Sequence, residues 1–113
     1  MDTNCIFCKI ASGGIPSIKV FENDHVVVIH DIQPAAKTHM LVIPKRHYEN
    51  VMDLGDDALA AEIHKAIQRA ARKVGIADSG FRVISNCGAD GGQTVPHLHY
   101  HILGGESLGA KLL

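Results

Sequence analysis

The sequence predicts a single α+β domain in which five antiparallel strands form the sheet, with one short and one long helix. Two β-rich runs meet at a turn signal early in the chain, one long stretch repeats its apolar residues with the helical period, and two more β-rich runs follow that stretch. Strands joined by hairpin-like turns, then a helix, then strands again are typical of this class. The 113 residues fit one domain, residues 1–113, and contain no repeat or linker.

The first half of the chain supplies the short helix and three strands. "CIFCKIAS" predicts one or two helical turns that end at Gly13-Gly14. "IKVFEND" and "HVVVIHDI" predict two strands, and Asn23-Asp24 between them is a hairpin signal. The run at residues 39–45, "HMLVIPK", predicts a third strand. Pro44 should end its pairing because proline has no backbone N–H.

The second half begins with the long helix, which we expect to start near Asp56 and to stop at Gly75. The helical period is carried by six apolar residues, namely Leu59, Ile63, Ala66, Ile67, Ala70 and Val74. Acidic residues at its start and Arg72 and Lys73 at its end suit the helix dipole. "FRVISN", residues 81–86, predicts the fourth strand, "CGADGGQ" a glycine-rich loop, and "HLHYHIL", residues 97–103, the fifth strand.

Composition excludes several classes of protein. The net charge is −1 with neutral histidines, so nothing in it favours a nucleic acid or an anionic membrane as partner. No apolar run approaches the roughly 20 residues of a membrane helix, and the N-terminus does not resemble a secretory signal. Three cysteines, two of them as Cys5-x-x-Cys8, indicate a reducing compartment, so we expect a cytoplasmic protein.

Three histidines alternate in the predicted fifth strand. Side chains alternate between the faces of a strand, so His97, His99 and His101 should share one face while Leu98, Tyr100 and Ile102 pack on the other. Ordinary surface histidines are one interpretation. A single metal bound by all three is excluded, because the outer two should lie about 13 Å apart along a strand.

Phosphate chemistry fits this histidine face best. Neutral imidazole is a nucleophile near pH 7, and its cation can bind phosphate oxygens or protonate a leaving group. The preceding "NCGADGGQT" adds backbone amides that can approach an anion closely. Such a loop alone would indicate only a tight turn, but beside three histidines it favours an anion site.

The pair Cys5-x-x-Cys8 leaves three interpretations open. A redox pair would be expected beside a βαβ unit, which the pattern lacks. Two small buried side chains in a short helix form the second interpretation. The third, which we favour, is half of a tetrahedral zinc site whose other ligands are histidines supplied by the fold. Cys87 has no dedicated base and is interpreted as a packing residue, and His39 receives no role.

The longer motifs resemble a known family. "HLHYHIL" matches the pattern of alternating histidines and apolar residues of the histidine triad (HIT) superfamily. "GGIPSIKVFENDHVVVIHDIQPAAKTHMLVIPKRH" and "GFRVISNCGADGGQTVPHLHYHILGG" resemble its Hint branch, and the resemblance runs from Cys5 to Gly109. It implies the HIT fold and a homodimer whose two sheets join into one.

The resemblance also implies an activity, the release of a nucleoside monophosphate from an amine through a nucleotidyl-histidine intermediate. His99 would be the nucleophile, His101 would contact phosphate and assist the leaving group, and His97 would orient its neighbours. The substrate partner would be a purine nucleotide. The implied nucleotide-binding residues are His30, Asp31, Ile32, Asn86, Gly92, Gln93, Thr94, His99 and His101, with Asp31 at the ribose hydroxyls.

Bacterial relatives that carry the cysteine pair imply a structural zinc held by Cys5, Cys8, His47 and His97. Four protein ligands close such a site, so we expect zinc to orient the histidines, and catalysis to require no metal. Rival functions are a dinucleoside polyphosphate hydrolase, a nucleotide-binding regulatory protein with little turnover, and a zinc-stabilised interaction module.

Overall fold

The computed structural model describes residues 4–113 and contains one five-stranded antiparallel sheet with two helices. The strands are β1 (Lys19–Glu22), β2 (Val26–His30), β3 (Thr38–Pro44), β4 (Phe81–Ile84) and β5 (Tyr100–Gly104). Helix α1 spans Ile6–Ala11 and helix α2 spans Asp57–Lys73. The strand order is β1-β2-β3-β5-β4, so β5 is inserted between the third and fourth strands of the chain. The predicted α+β class with antiparallel strands is confirmed.

The two helices lie on opposite faces of the sheet, because alternate residues of the central strands belong to different cores. Val26 and Val28 of β2 pack in the cluster that contains the buried face of α2. Val27 and Ile29 of the same strand pack in the cluster that contains α1. The same alternation divides β3. Apolar side chains on both faces are therefore needed in β2 and β3, which explains the unbroken runs "VVVI" and "MLVI".

The caps fix where each helix begins and ends. The Asp56 carboxylate accepts a hydrogen bond from the Leu59 backbone N–H at 3.1 Å, which makes Asp56 the N-cap of α2. Beyond its last turn Gly75 has φ +81°, a conformation that favours glycine, as the predicted stop requires. Helix α1 is capped by Cys5, whose Sγ accepts from the Cys8 backbone N–H at 3.2 Å.

The predicted bounds of the fifth strand were wrong at its beginning. The sequence predicted a strand over residues 97–103, whereas β5 begins at Tyr100, which pairs with Val42. Pro44 cannot donate to a ladder, and its carbonyl accepts a hydrogen bond from the His97 side chain at 2.9 Å. The Leu98 N–H donates instead to the Tyr48 carbonyl at 2.6 Å. His97 and His99 therefore lie in an extension that precedes the strand.

Neither helix in residues 4–113 has the length and apolar character that a membrane span needs.

Candidate active site

The three predicted histidines share the face of the sheet that carries α1. His97 and His99 contact the Phe7 ring of α1, and the ring centroids of His99 and His101 lie 5.1 Å apart. Leu98 and Ile102 pack in the core beneath α2. The alternation of faces predicted from the sequence is therefore present, although only His101 lies within the ladder.

The hydrogen bonds of His99 determine which ring nitrogen holds its proton. Its Nδ1 lies 2.7 Å from the His97 carbonyl oxygen, which can only accept, so Nδ1 carries the hydrogen. The Ser85 hydroxyl donates to the His99 carbonyl at 2.8 Å and fixes the backbone there. In the neutral ring Nε2 is then unprotonated, and its lone pair is available as a nucleophile.

In His101 a chain of hydrogen bonds places the proton on Nε2, whereas in His99 the proton is on Nδ1. The Ala35 backbone N–H donates to Nδ1 of His39 at 2.9 Å, so the proton of neutral His39 is on Nε2. That N–H donates to Nδ1 of His101 at 2.9 Å and lies 3.4 Å from Oδ2 of Asp31. Neutral His101 therefore holds its own proton on Nε2. The cluster pairs one unprotonated Nε2, that of His99, with one Nε2–H, that of His101.

His39 is a site residue that sequence reasoning missed. It is buried, it lies on β3, and its side chain connects Asp31 to His101. A signal was available, since Leu41 pairs with His101 across β3 and β5 and His39 lies two residues from Leu41 on the same face. Using that signal required the register of the two strands.

The electrostatic surroundings favour neutral histidines. Burial lowers the pKa of His101, and the charges that His99 and His39 can carry lower it further, while Asp31 opposes them. Burial also lowers the pKa of His97; the Pro44 carbonyl opposes this, and His47 and His99 add to it. Both rings are thus more readily neutral than an exposed histidine, whose pKa is about 6.5.

His99 and His101 line a cleft of about 280 Å³ between α1 and the sheet. One part of its wall is apolar and is formed by Ile6, Phe7, Ile10, Ile15, Pro16, Ile29, Leu41 and Val95. Polar groups from Ser17, His30, Asp31 and Thr94 complete it, and Ile32 lies at the exposed margin. Among the described residues, no lysine or arginine lines the cleft. An apolar slot with a few polar groups and two histidines suits a small ligand that is partly flat and apolar.

Three residues predicted near phosphate hold the glycine-rich loop together. The Asn86 side chain donates to the Gly91 carbonyl at 2.7 Å, and the Gln93 side chain accepts from the Gly88 N–H at 2.9 Å. Gly92 donates its N–H to the Ala89 carbonyl at 3.1 Å. A Cβ on Gly91 would lie 2.5 Å from the Cys87 carbonyl oxygen, so this turn requires glycine. The structure thus brings Thr94, and not these three residues, to the wall of the cleft.

The predicted metal ligands meet beside the histidines. Cys5 Sγ lies 3.2 Å from His97 Nδ1, Cys8 Sγ lies 3.2 Å from His47 Nδ1 and 3.5 Å from His97 Nδ1, and all four ligand atoms are within 4.8 Å of one another. A tetrahedral zinc site with two thiolates and two imidazoles has edges of roughly 3.3–3.8 Å. The His97 Nε2–H donates to the Pro44 carbonyl, which leaves the Nδ1 lone pair directed at the thiols. The four residues therefore fit a transition-metal ion.

Asp31, His39 and His101 also bring three ligand atoms within 4.8 Å of one another, but their hydrogen bonds do not suit a metal. Coordination through Nε2 of a neutral imidazole requires the proton on Nδ1. Nδ1 of His39 accepts from the Ala35 N–H, so a metal on Nε2 would leave that ring with no proton at all. The hydrogen bonds of this group are those of a proton-carrying chain.

Comparison with known proteins agrees with this geometry. The HIT domain model matches residues 12–108. A HIT family hydrolase from Clostridium thermocellum has a similar structure, with a TM-score of 0.95 and 47% identity over 100% of both chains. A histidine triad protein from Clostridium difficile has a TM-score of 0.93 and 49% identity over 98% of both chains. A HIT-like protein of Azospirillum brasilense is 46% identical over 98% of this chain and 93% of the relative. The chain belongs to the HIT family.

Proposed function

We propose that this protein is a hydrolase that releases a nucleoside 5′-monophosphate from a phosphoramidate, with His99 as the nucleophile. The observation that carries the proposal is the complementary protonation of the two cleft histidines. His99 has an unprotonated Nε2, and His101, 5.1 Å away between ring centroids, has its proton on Nε2. One group can attack phosphorus while the other donates to the leaving nitrogen. Relatives described as HIT family hydrolases support hydrolysis in general.

The cleft suggests how the substrate binds. A nucleobase fits the apolar part of the wall around Ile10 and Ile29, and Asp31, at its polar end, can accept hydrogen bonds from ribose hydroxyls. The α-phosphorus then lies beside His99, near Thr94. We propose a purine nucleotide because a larger flat base covers more of this apolar wall.

The reaction has two in-line steps. In the first, the His99 lone pair forms a bond to phosphorus as the P–N bond breaks, and the departing nitrogen gains a proton, for which the His101 N–H is the donor at hand. In the second, water attacks phosphorus, the bond to His99 breaks and the proton that water loses returns to His101, which releases the nucleoside monophosphate. The His97 carbonyl holds the Nδ1–H of His99 in both steps and stabilises the positive charge of the phosphorylated ring.

The lack of lysine or arginine in the described cleft wall favours one phosphate over a polyphosphate chain. A dinucleoside polyphosphate carries several charges that neutral donors bind less well than fixed cations. We therefore expect phosphoramidates to be better substrates than dinucleoside polyphosphates.

Zinc is the ion that we propose for Cys5, Cys8, His47 and His97. When bound, it would crosslink α1 to the histidine segment, and two thiolates with two imidazoles leave no open position for substrate. We also propose a homodimer, in which the edge strand β4, with Val83 exposed, extends the sheet. A cytoplasmic location and independence from nucleic acids and membranes complete the proposal.

The test is release of AMP from adenosine 5′-phosphoramidate and from diadenosine tetraphosphate, measured for wild type, His99→Ala and His64→Ala. His64 is an exposed histidine of α2 and serves as the matched control. We expect faster cleavage of the phosphoramidate, loss of activity in His99→Ala and wild-type activity in His64→Ala. Nucleotide binding without turnover of either substrate would instead indicate a regulatory binding protein. Equal activity in His99→Ala and wild type would exclude His99 as the nucleophile.

A further inference from the structure

The orientation of the His99 ring needs more than the chemistry of histidine itself. The χ2 angle of histidine is broad and roughly two-fold, so a half-turn of the ring is intrinsically accessible. Such a turn would break the 2.7 Å bond between Nδ1 and the His97 carbonyl and would move Nε2 away from its position. One hydrogen bond and the surrounding packing must select the reactive orientation.

The ring of Phe7, on α1, packs on the His99 ring from the side of the helix, in addition to the ring of His101. The centroids of the Phe7 and His99 rings lie 4.8 Å apart with an interplanar angle of 83°, which is an edge-to-face contact. Phe7 also contacts the His97 ring at 6.0 Å and 77°. It therefore touches both the nucleophilic ring and the residue whose carbonyl anchors that ring. Phe7 and His99 are both buried, so neither ring can move without disturbing the other.

The helix that carries Phe7 is itself tied to His97. Cys5 and Cys8 flank Phe7 in the sequence, and the Sγ atoms of both approach Nδ1 of His97, at 3.2 and 3.5 Å. The Phe7 ring is thus carried on a segment that is held on both sides by the residue that anchors the nucleophile. These contacts join residues that are about ninety positions apart in the sequence.

We propose that Phe7 is a positioning residue that holds His99 in its Nδ1–H orientation, in addition to forming part of the cleft wall. The proposal rests on the proposed function for its kinetic consequences, but the orientation of the ring can be measured without substrate. It assigns to the segment between the two cysteines a direct effect on the nucleophile. A residue that only lined the cleft would change substrate binding and leave the His99 ring as it is.

The kinetic test compares Phe7→Leu with Ile6→Ala, using adenosine 5′-phosphoramidate and the metal-loaded protein. Leucine keeps the site apolar but removes the ring, and we expect kcat to fall by about 3- to 10-fold, as for loss of one aromatic pair, with KM within about twofold. Ile6 is the neighbouring residue on α1, lines the same cleft and is 48% exposed. Because Ile6 contributes to the cleft wall, its replacement should raise KM by a larger factor than it lowers kcat, the reverse of the pattern expected for Phe7→Leu.

The second readout is the ¹⁵N NMR spectrum of the His99 imidazole without substrate, assigned by its loss in His99→Gln. Wild type should show the Nδ1–H tautomer and nuclear Overhauser contacts between the Phe7 ring and the His99 ring. Phe7→Leu should show a mixture of tautomers, whereas Ile6→Ala should match wild type.

A wild-type spectrum in Phe7→Leu, together with a change in KM alone, would show that Phe7 lines the cleft but does not position His99. If Phe7→Leu fails to fold, the test is the nuclear Overhauser contact between the Phe7 and His99 rings in wild type. Absence of that contact would overturn the proposal. If wild type cleaves no phosphoramidate, the proposed function fails while the NMR result still stands for or against the role of Phe7.

Discussion

Replacing His39 by phenylalanine tests the hydrogen-bonded chain behind His101. Phenylalanine has a similar ring but no nitrogen, so the substitution removes the donor that keeps Nδ1 of His101 unprotonated and the acceptor for the Ala35 N–H. His39 is buried, and phenylalanine occupies a similar planar volume there. The change therefore acts on protonation with little effect on shape.

The size of the effect follows from the bond that is lost. A neutral hydrogen bond contributes about 1 kcal/mol net, which is a factor of about five between the two tautomers of His101. We expect kcat to fall about 5- to 10-fold, since the surviving ring is also less well oriented. The free energy of unfolding should fall by about 1 kcal/mol, because Ala35 is exposed and its N–H can turn to water.

The assay has a kinetic and a spectroscopic part. Steady-state kinetics with adenosine 5′-phosphoramidate gives kcat, and ¹⁵N NMR gives the tautomer and pKa of His101. The pKa should rise in His39→Phe, because the charge that His39 can carry is one of the causes that lower it. His64→Phe, on the exposed face of α2, is the control. A folded His39→Phe protein with wild-type kcat and an unchanged His101 spectrum would show that His39 does not control the protonation of His101.

Three other substitutions probe the metal site, the response to pH and the long helix. Cys8→Ser should lower the zinc content below the one ion per chain that we propose, as measured by elemental analysis, because it removes one of the four ligands. It should also lower the Tm of zinc-loaded protein but not of chelator-treated protein, and an unchanged zinc content would exclude Cys8 as a ligand. The pKa of His101 is lowered in the folded state, so neutral His101 favours folding above about pH 6.5, and metal-free protein should lose stability as pH falls below that value. Urea titrations of His101→Gln should show a shallower loss, and identical pH dependence would contradict the shift. Asp56→Ala should lower the free energy of unfolding by about 1 kcal/mol in the same assay, because it removes the N-cap of α2, whereas Asp57→Ala should have a smaller effect. Equal losses in the two variants would show that the Asp56 cap contributes nothing specific.

The elements that the sequence predicted are those whose side chains follow a clear period. The period of α2 and the apolar runs of β2 and β3 arise from burial, so the pattern indicated each element within a few residues. The start of β5 was wrong because the alternation of histidines continues past the last ladder bond, where Pro44 stops the pairing. Side chains can alternate in an extended segment that has no strand partner.

The site was partly predictable for a similar reason. The three alternating histidines could be predicted because their spacing lies within one segment of the sequence. The position of His39 beside His101, in contrast, depends on the register between β3 and β5. The contact of Phe7 with His99 depends on which face of the sheet α1 covers. Asn86 and Gln93 bind the backbone of their own loop in this structure, so their contact with phosphate stays a prediction.

The small size of α1 has a consequence for the order in which this protein is assembled. A six-residue helix is far too short to persist alone, so α1 forms only when its side chains find the sheet and its cysteines find their partners. The sheet and α2 share a core that does not depend on it. We therefore expect the cleft, part of whose wall α1 supplies, to be completed late in folding and to open before the rest of the protein unfolds.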